Sequence, residues 1–182
     1  MTEEKKNRHL ILMGNISEGT VENIIKEIRE INRHDDEQEK KVVDYVREPI
    51  TILVSSFGGS VYCGFGLVHE IAHSKTPVHT ECNDKAMSMG FIIFAAGHHR
   101  KVGEFATLMY HQISFGVIDD LQKIKMETEE AERLEKIYDA YILKRTNIMQ
   151  EKLDEVKNAR KNWYINADEA RKLGLADEVV GL

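Results

Sequence analysis

The chain has 182 residues, 42% of them hydrophobic, with 25 lysines and arginines against 31 aspartates and glutamates, a formal net charge of −6. That size and composition suit one soluble domain with a real core, and the acidic balance argues against a general nucleic-acid-binding role. The polar start MTEEKKNRHL has no signal-peptide core, no apolar run is long enough to span a bilayer, and Cys63 and Cys82 lack CxxC spacing, so a cytoplasmic protein with reduced thiols is expected.

Behind a polar arm, residues 1–8, HLILM reads as a strand closed by Gly14. Val21, Ile24, Ile25, Ile28 and Ile31 recur at helical spacing and predict an amphipathic helix over 17–31, and the charge run RHDDEQEKK, 33–41, is expected to be a solvated loop or helix end. Pro49 breaks the pattern before ITILVS, a β-rich run suited to a central strand. Phe57-Gly58-Gly59-Ser60 reads as a tight turn opening a helix over 61–73, and VHTEC, 78–82, as a short buried strand. The apolar run from Met89 to Gly97 predicts a buried helix. HHRKVG, 98–103, is basic and hairpin-like, with His98-His99 in a solvated turn, and ATLMY is a strand delivering His111.

Beyond Asp119 the pattern changes. Leu121, Ile124, Thr128, Ala131, Leu134, Tyr138 and Tyr141 step by three or four, while pairs such as Glu129/Arg133 and Glu132/Lys136 occupy the other face. This predicts one long helix, fitting a projecting helix that pairs with another subunit better than a core helix; a plain surface helix is the alternative. Asn166 caps a final short helix ending near Gly174, and residues 177–180 form a terminal strand. Alternating strands and helices with short connections imply an α/β sheet with its functional loops at strand ends.

The chain is organised around NDKAMSMGFIIFAAG, 83–97, where Ser88 stands between strand and helix. A serine at that joint has the positive end of a helix dipole beneath it and unpaired N–H groups nearby, which suits a nucleophile whose oxyanion those groups would stabilise. A helix-capping serine is the plainer reading. For Gly58-Gly59 the plain reading is a strand-to-helix turn, and for His111 a structural histidine at a strand end.

A competing motif is His69-Glu70-Ile71-Ala72-His73, which fits HExxH, with His79 six residues further on. Two histidines four apart on a helix could bind Zn²⁺ with Glu70 as base. The extended motif, however, requires glycine where Thr76 stands before Pro77, and His79 falls within a predicted strand.

Four separated segments, HLILMGNI, SSFGGSVYCGFGLV, KAMSMGFIIFAAG with MYHQ, and NADEARKLGLADEV, resemble the Clp protease proteolytic subunit (ClpP) family in order and approximate spacing. The resemblance implies a crotonase-like α/β fold of repeated β-β-α units, with a mostly parallel sheet and a protruding handle helix. It implies a single unit over 1–182, with the arm 1–8, a head of 9–115 and 159–182, and a handle region of 116–158. It further implies a serine endopeptidase with Ser88 as nucleophile, His111 as general base, and the N–H groups of Gly59 and Met89 as oxyanion donors.

The third member, an aspartate in the family, falls at Asn162, which could hold the imidazole tautomer but not stabilise imidazolium by charge; Asp168 and Asp154 are possible substitutes off the matching position. The short arm suggests a reduced axial gate and would suit a phage-type relative, and the segment QISFGVIDD is shorter and poorer in glycine than the family's strand there. Expected partners are further copies of the chain in a heptameric ring or stacked double ring, an AAA+ unfoldase that alone uses ATP, and unfolded polypeptide, with no cofactor, metal, nucleic acid or membrane. A second reading, motivated by Asn162, is a catalytically weak ring subunit modulating an active paralogue. A crotonase-like acyl-CoA enzyme shares the fold, but the serine–histidine pair argues against it.

Overall fold

A computed structural model describes residues 6–181. Of the expected arm 1–8, residues 1–5 lie outside the described residues. Arg8 is buried, and its guanidinium grips the fully buried carboxylate of Asp35 and the carbonyl of Glu48.

Strand β1 (His9–Ile16) leads into helix α1 (Glu18–Gln38), which buries Val21, Ile24, Ile28 and Ile31 and, one turn on, Asp35. The helix therefore takes in most of the charge run, the helix-end form of what was expected, but the run is not solvated throughout, because Asp35 and Gln38 are buried. Asp35 explains the difference: its carboxylate accepts hydrogen bonds from Arg8, Tyr45 and Thr76, so the run carries a paired interior charge.

Strand β2 (Ile50–Gly59) is the hub of the sheet. One edge carries β1 in parallel, with a register shift between Met13 and Asn15. The other edge first pairs β3 (Val78–Cys82), through Ile50–Leu53, and then at Ser56 passes to β4 (Lys85–Met87). Helix α2 (Val61–His73) lies between β2 and β3 in the chain, as its spacing predicted.

Beyond β3 come β5 (His99–Gly103) and β8 (Glu178–Val180), and beyond β4 come β6 (Thr107–Tyr110) and β7 (Trp163–Ile165). Only β6–β7 is antiparallel among the described pairs. This is an α/β architecture with a mostly parallel sheet whose strands diverge at β2 into two branches.

Two expectations are corrected. The basic piece HHRKVG is no turn: residues 99–103 form β5, parallel to β3 from His79↔His99 to Cys82↔Val102. Its charge is absorbed by pairing, since Arg100 binds both carboxylate oxygens of Asp177 and donates to the carbonyl of Arg145. And β4, three residues long, was hidden between the strand VHTEC and Ser88.

Helix α3 (Met89–Ala96) is buried along its whole length, which accounts for its unbroken apolar sequence. Helix α4 (Leu121–Arg145) divides in two. Leu121 and Met126 in its first half are exposed, while Leu134, Tyr138 and Ile142 in its second half are buried against the body. The expected handle region is thus a half-projecting helix followed by α5 (Gln150–Asn158), and α6 (Ala167–Lys172) precedes β8.

Candidate active site

The fork at β2 makes the site. Phe57-Gly58-Gly59 is not the expected turn: it is the end of β2, with Gly58 and Gly59 paired to Asn15 and Ile16, and where β2 leaves β3 for β4 it stands against the end of β4 at Ser88. Ser88 has φ 53° and ψ −123°, a region that L-residues with a side chain rarely enter, and α3 begins with the next residue. Surrounding bonds hold it there. Its N–H donates to the carbonyl of Met109 at 2.9 Å, and its own carbonyl accepts from the N–H of Phe91 at 3.0 Å and the hydroxyl of Tyr138 at 3.0 Å.

The two glycines let backbone approach this turn. A Cβ on Gly58 (φ +114°) would stand 2.7 Å from the Cβ of Ser88, and one on Gly59 (φ +147°) would strike the carbonyl of Ile16. Gly58 therefore stands against Ser88, while Gly59 packs against Asn15 and Ile16, and both glycines line the cavity at Ser88. Met89 is the first residue of α3, whose first-turn N–H groups have no partner within the helix.

Strand β6 ends at Tyr110 and delivers His111, whose Nε2 lies 2.9 Å from Ser88 Oγ. The two residues are twenty-three positions apart in the chain and meet because β4 and β6 are adjacent parallel strands. Burial pushes the His111 pKa below the usual histidine value, so the neutral, proton-accepting ring is favoured at neutral pH. Carboxylate Glu135, on α4, accepts from the N–H of Ile113 and the amide of Gln112, fixing the segment that follows His111.

Asn162 is not joined to this pair. It directly precedes β7, whose Trp163 pairs with Tyr110, so it stands near His111 at the end of the ladder. Its amide, however, donates to the hydroxyl of Tyr164 at 3.2 Å. Among the described residues, Ser88 is the one hydrogen-bond partner of His111. Neither substitute fills the gap: Asp168 lies in the first turn of α6, and Asp154 is engaged by Gln150 and Lys157.

Ser88 and His111 open onto a cavity of about 380 Å³, lined also by Asn15, Phe57, Gly58, Gly59, Val61, Met89, Ile113, Ser114 and Tyr138. Sequence reading placed Tyr138 only in an apolar stripe and did not single out Asn15 or Glu135. The available signal for Tyr138 was chemical: a tyrosine on a core stripe must find a partner for its hydroxyl.

The HExxH residues lie elsewhere. Glu70 is held by Arg29 through both carboxylate oxygens, the rings of His69 and His73 stack on each other at 4.1 Å, and His79 packs edge-on against His99. Among the described residues no three histidine, cysteine or acidic side chains gather as a metal ligand set, so His79 supplies no third ligand. No helix among the described residues is long and apolar enough to cross a membrane.

A family model described as Clp protease matches residues 2–181. The ATP-dependent Clp protease proteolytic subunit of Deinococcus radiodurans is 30% identical over 136 residues, covering 73% of this chain and 65% of that protein. The ATP-dependent Clp protease proteolytic subunit 1 of Salinibacter ruber is 28% identical over 135 residues, covering 73% of this chain and 57% of that protein. The chain thus spans less than two-thirds of the length of either relative. Among solved structures, the ClpP1 asparagine-to-aspartate mutant from Listeria monocytogenes superposes with a TM-score of 0.80 at 20% identity, over 96% of this chain and 92% of that one, which shows the shared fold. With its family model matched from residue 2 to residue 181, the chain belongs to the Clp protease family.

Proposed function

We propose that the chain is a serine-type endopeptidase subunit that hydrolyses unfolded polypeptide inside a ring of copies of itself. The observation that carries this reading is the 2.9 Å contact between Ser88 Oγ and His111 Nε2, on a strained turn facing a cavity. In this reading His111 takes the hydroxyl proton as Ser88 Oγ bonds to the scissile carbonyl carbon. The N–H groups of Gly59 and Met89 receive the oxyanion, and the C–N bond breaks as His111 returns the proton to the leaving amine. Water, deprotonated by the same imidazole, then releases the acyl group and regenerates Ser88.

Asn162 serves as the third member only if its amide turns from Tyr164 to the imidazole. The exposed first half of α4 supplies contacts between rings, and a separate AAA+ unfoldase delivers substrate and spends ATP in the cytoplasm. A fluorophosphonate probe tests the core of the proposal: wild type becomes labelled and Ser88→Ala does not. Absence of labelling in the assembled wild-type protein would overturn it.

A second reading has its own observation. With Asn162 bound to Tyr164, His111 has no hydrogen-bonding orienter among the described residues, which suits a weak subunit that modulates an active paralogue. Labelling that appears only when the paralogue is added would favour it.

A further inference from the structure

We infer that Tyr138 is a positioning residue for the oxyanion site, acting through the peptide that joins Ser88 to Met89. The inference rests on the reading of Ser88 as the nucleophile and adds a residue to it.

A trans peptide points its C=O and its N–H in opposite directions within one plane. In the Ser88–Met89 peptide the carbonyl end accepts the Tyr138 hydroxyl at 3.0 Å and the Phe91 N–H at 3.0 Å. The N–H end belongs to Met89, which lines the cavity beside Ser88. Two donors on the carbonyl fix the rotation of that plane, and with it the ψ of Ser88 and the aim of the Met89 N–H. A hydrogen bond to a peptide oxygen also polarises the peptide, which makes its N–H a better donor.

Tyr138 is well placed to do this. It is only 3% exposed, so its hydroxyl is held in a largely dry setting that favours a protein acceptor. Burial pushes its pKa far up, so the phenol keeps its proton and remains a donor across the physiological range. Its ring sits 5.7 Å from that of Tyr110, and its chain neighbour Asp139 accepts from the Tyr110 hydroxyl and binds Lys157. The second half of α4 is therefore anchored to the strand that carries His111 while its Tyr138 holds the turn that carries Ser88. The phenol contributes to the reaction without touching substrate through that hydroxyl, because it donates to backbone.

The test is Tyr138→Phe, which keeps the ring packing and deletes one hydroxyl. Three quantities are measured on the assembled protein: the rate of fluorophosphonate labelling, the kcat and KM for a fluorogenic peptide, and the NMR shifts of the Ser88 carbonyl carbon and Met89 amide nitrogen. Labelling and kcat are expected to fall about three- to tenfold, the scale of one neutral hydrogen bond, as the Met89 N–H loses its brace. KM and the thermal midpoint should change little, and both NMR shifts should move. Labelling at the wild-type rate with unmoved shifts overturns the inference, as does a loss confined to KM or to thermal stability. If wild type itself is not labelled, the peptidase reading fails separately. The shifts then decide this inference: movement supports Tyr138 as the brace of that peptide, and none removes it.

Discussion

The side-chain amide of Asn162 donates to the hydroxyl of Tyr164, although the β6–β7 ladder brings Asn162 to the end of the strand that carries His111. The backbone brings the residue alongside the end of the His111 strand, and its side chain turns to Tyr164 instead of the imidazole. Asn162→Asp replaces the amide donor with an acceptor that cannot donate to Tyr164 and is drawn to a developing imidazolium. Labelling of Ser88 should accelerate severalfold in this variant, and the His111 midpoint in its pH profile should rise. An unchanged rate and an unchanged midpoint would show that Asn162 takes no part.

The pH dependence of labelling in wild type should itself be informative. Burial lowers the His111 pKa in the folded protein, and no carboxylate among the described residues opposes the shift. Activity limited by the neutral imidazole should therefore persist below the usual histidine midpoint of about 6.5 before it falls. The stability linkage has the same direction. Between the folded and unfolded pKa values the unfolded state binds more protons, so stability rises with pH and is lost as pH falls through that window. His111→Gln should flatten that part of the stability profile as measured by denaturant midpoints.

Gly58→Ala should separate the approach of β2 from the chemistry of Ser88. The added Cβ would meet the Ser88 Cβ at 2.7 Å and would force a side chain into φ +114°. We expect a stability loss of about 1–3 kcal/mol from the backbone strain and a fall in labelling far larger than that of Tyr138→Phe. A variant with full labelling would mean that the end of β2 can retreat without disturbing Ser88.

Away from the site, the buried Arg8–Asp35 pair ties the start of β1 to α1. Burial alone would raise the Asp35 carboxyl, but hydrogen bonds from Arg8, Thr76 and Tyr45 together outweigh it and hold the pKa at about 2. Its contribution is fully present above the unfolded carboxylate value and is lost as pH falls through about 4 toward 2. Asp35→Ala leaves the Arg8 guanidinium buried without its partner and should cost about 3–5 kcal/mol in chemical denaturation. Asp36→Ala, on the half-buried neighbouring carboxylate that pairs with Arg47 and Lys75, is the comparison and should cost less.

Chelators should leave labelling and peptide cleavage intact, because Glu70 is tied to Arg29 and His79 is directed to another histidine. A chelator-sensitive cleavage that survives Ser88→Ala would restore the zinc reading.

Local chemistry made much of this protein legible before any coordinates. Helix α2 and strand β3 carry their boundaries in their own residues, through apolar spacing and the stops at Gly59-Ser60 and Pro77. The all-apolar α3 announces its burial, and the conjunction of Ser88, the paired glycines and His111 is a pattern of residue types. Periodicity and turn chemistry act over a few residues, so a linear reading can recover them.

Other features are decided at longer range. Residues 33–38 read as solvent-facing because six charged or polar side chains stand together, yet Asp35 is interior because Arg8 and Thr76 arrive from distant parts of the chain. The basic run 99–103 becomes a strand because β3 offers it an edge and Asp177 offers Arg100 a partner. The 2.9 Å approach of Ser88 to His111 depends on β4 and β6 lying side by side, the hydroxyl of Tyr138 finds the Ser88 carbonyl fifty positions away, and the amide of Asn162 chooses Tyr164 over the imidazole. Each of these is a partnership between side chains or strands that only the packed structure brings within hydrogen-bond distance. Residue order sets the elements and the groups they carry; packing selects the partner of each buried polar group, because that choice depends on distance through space and not along the chain.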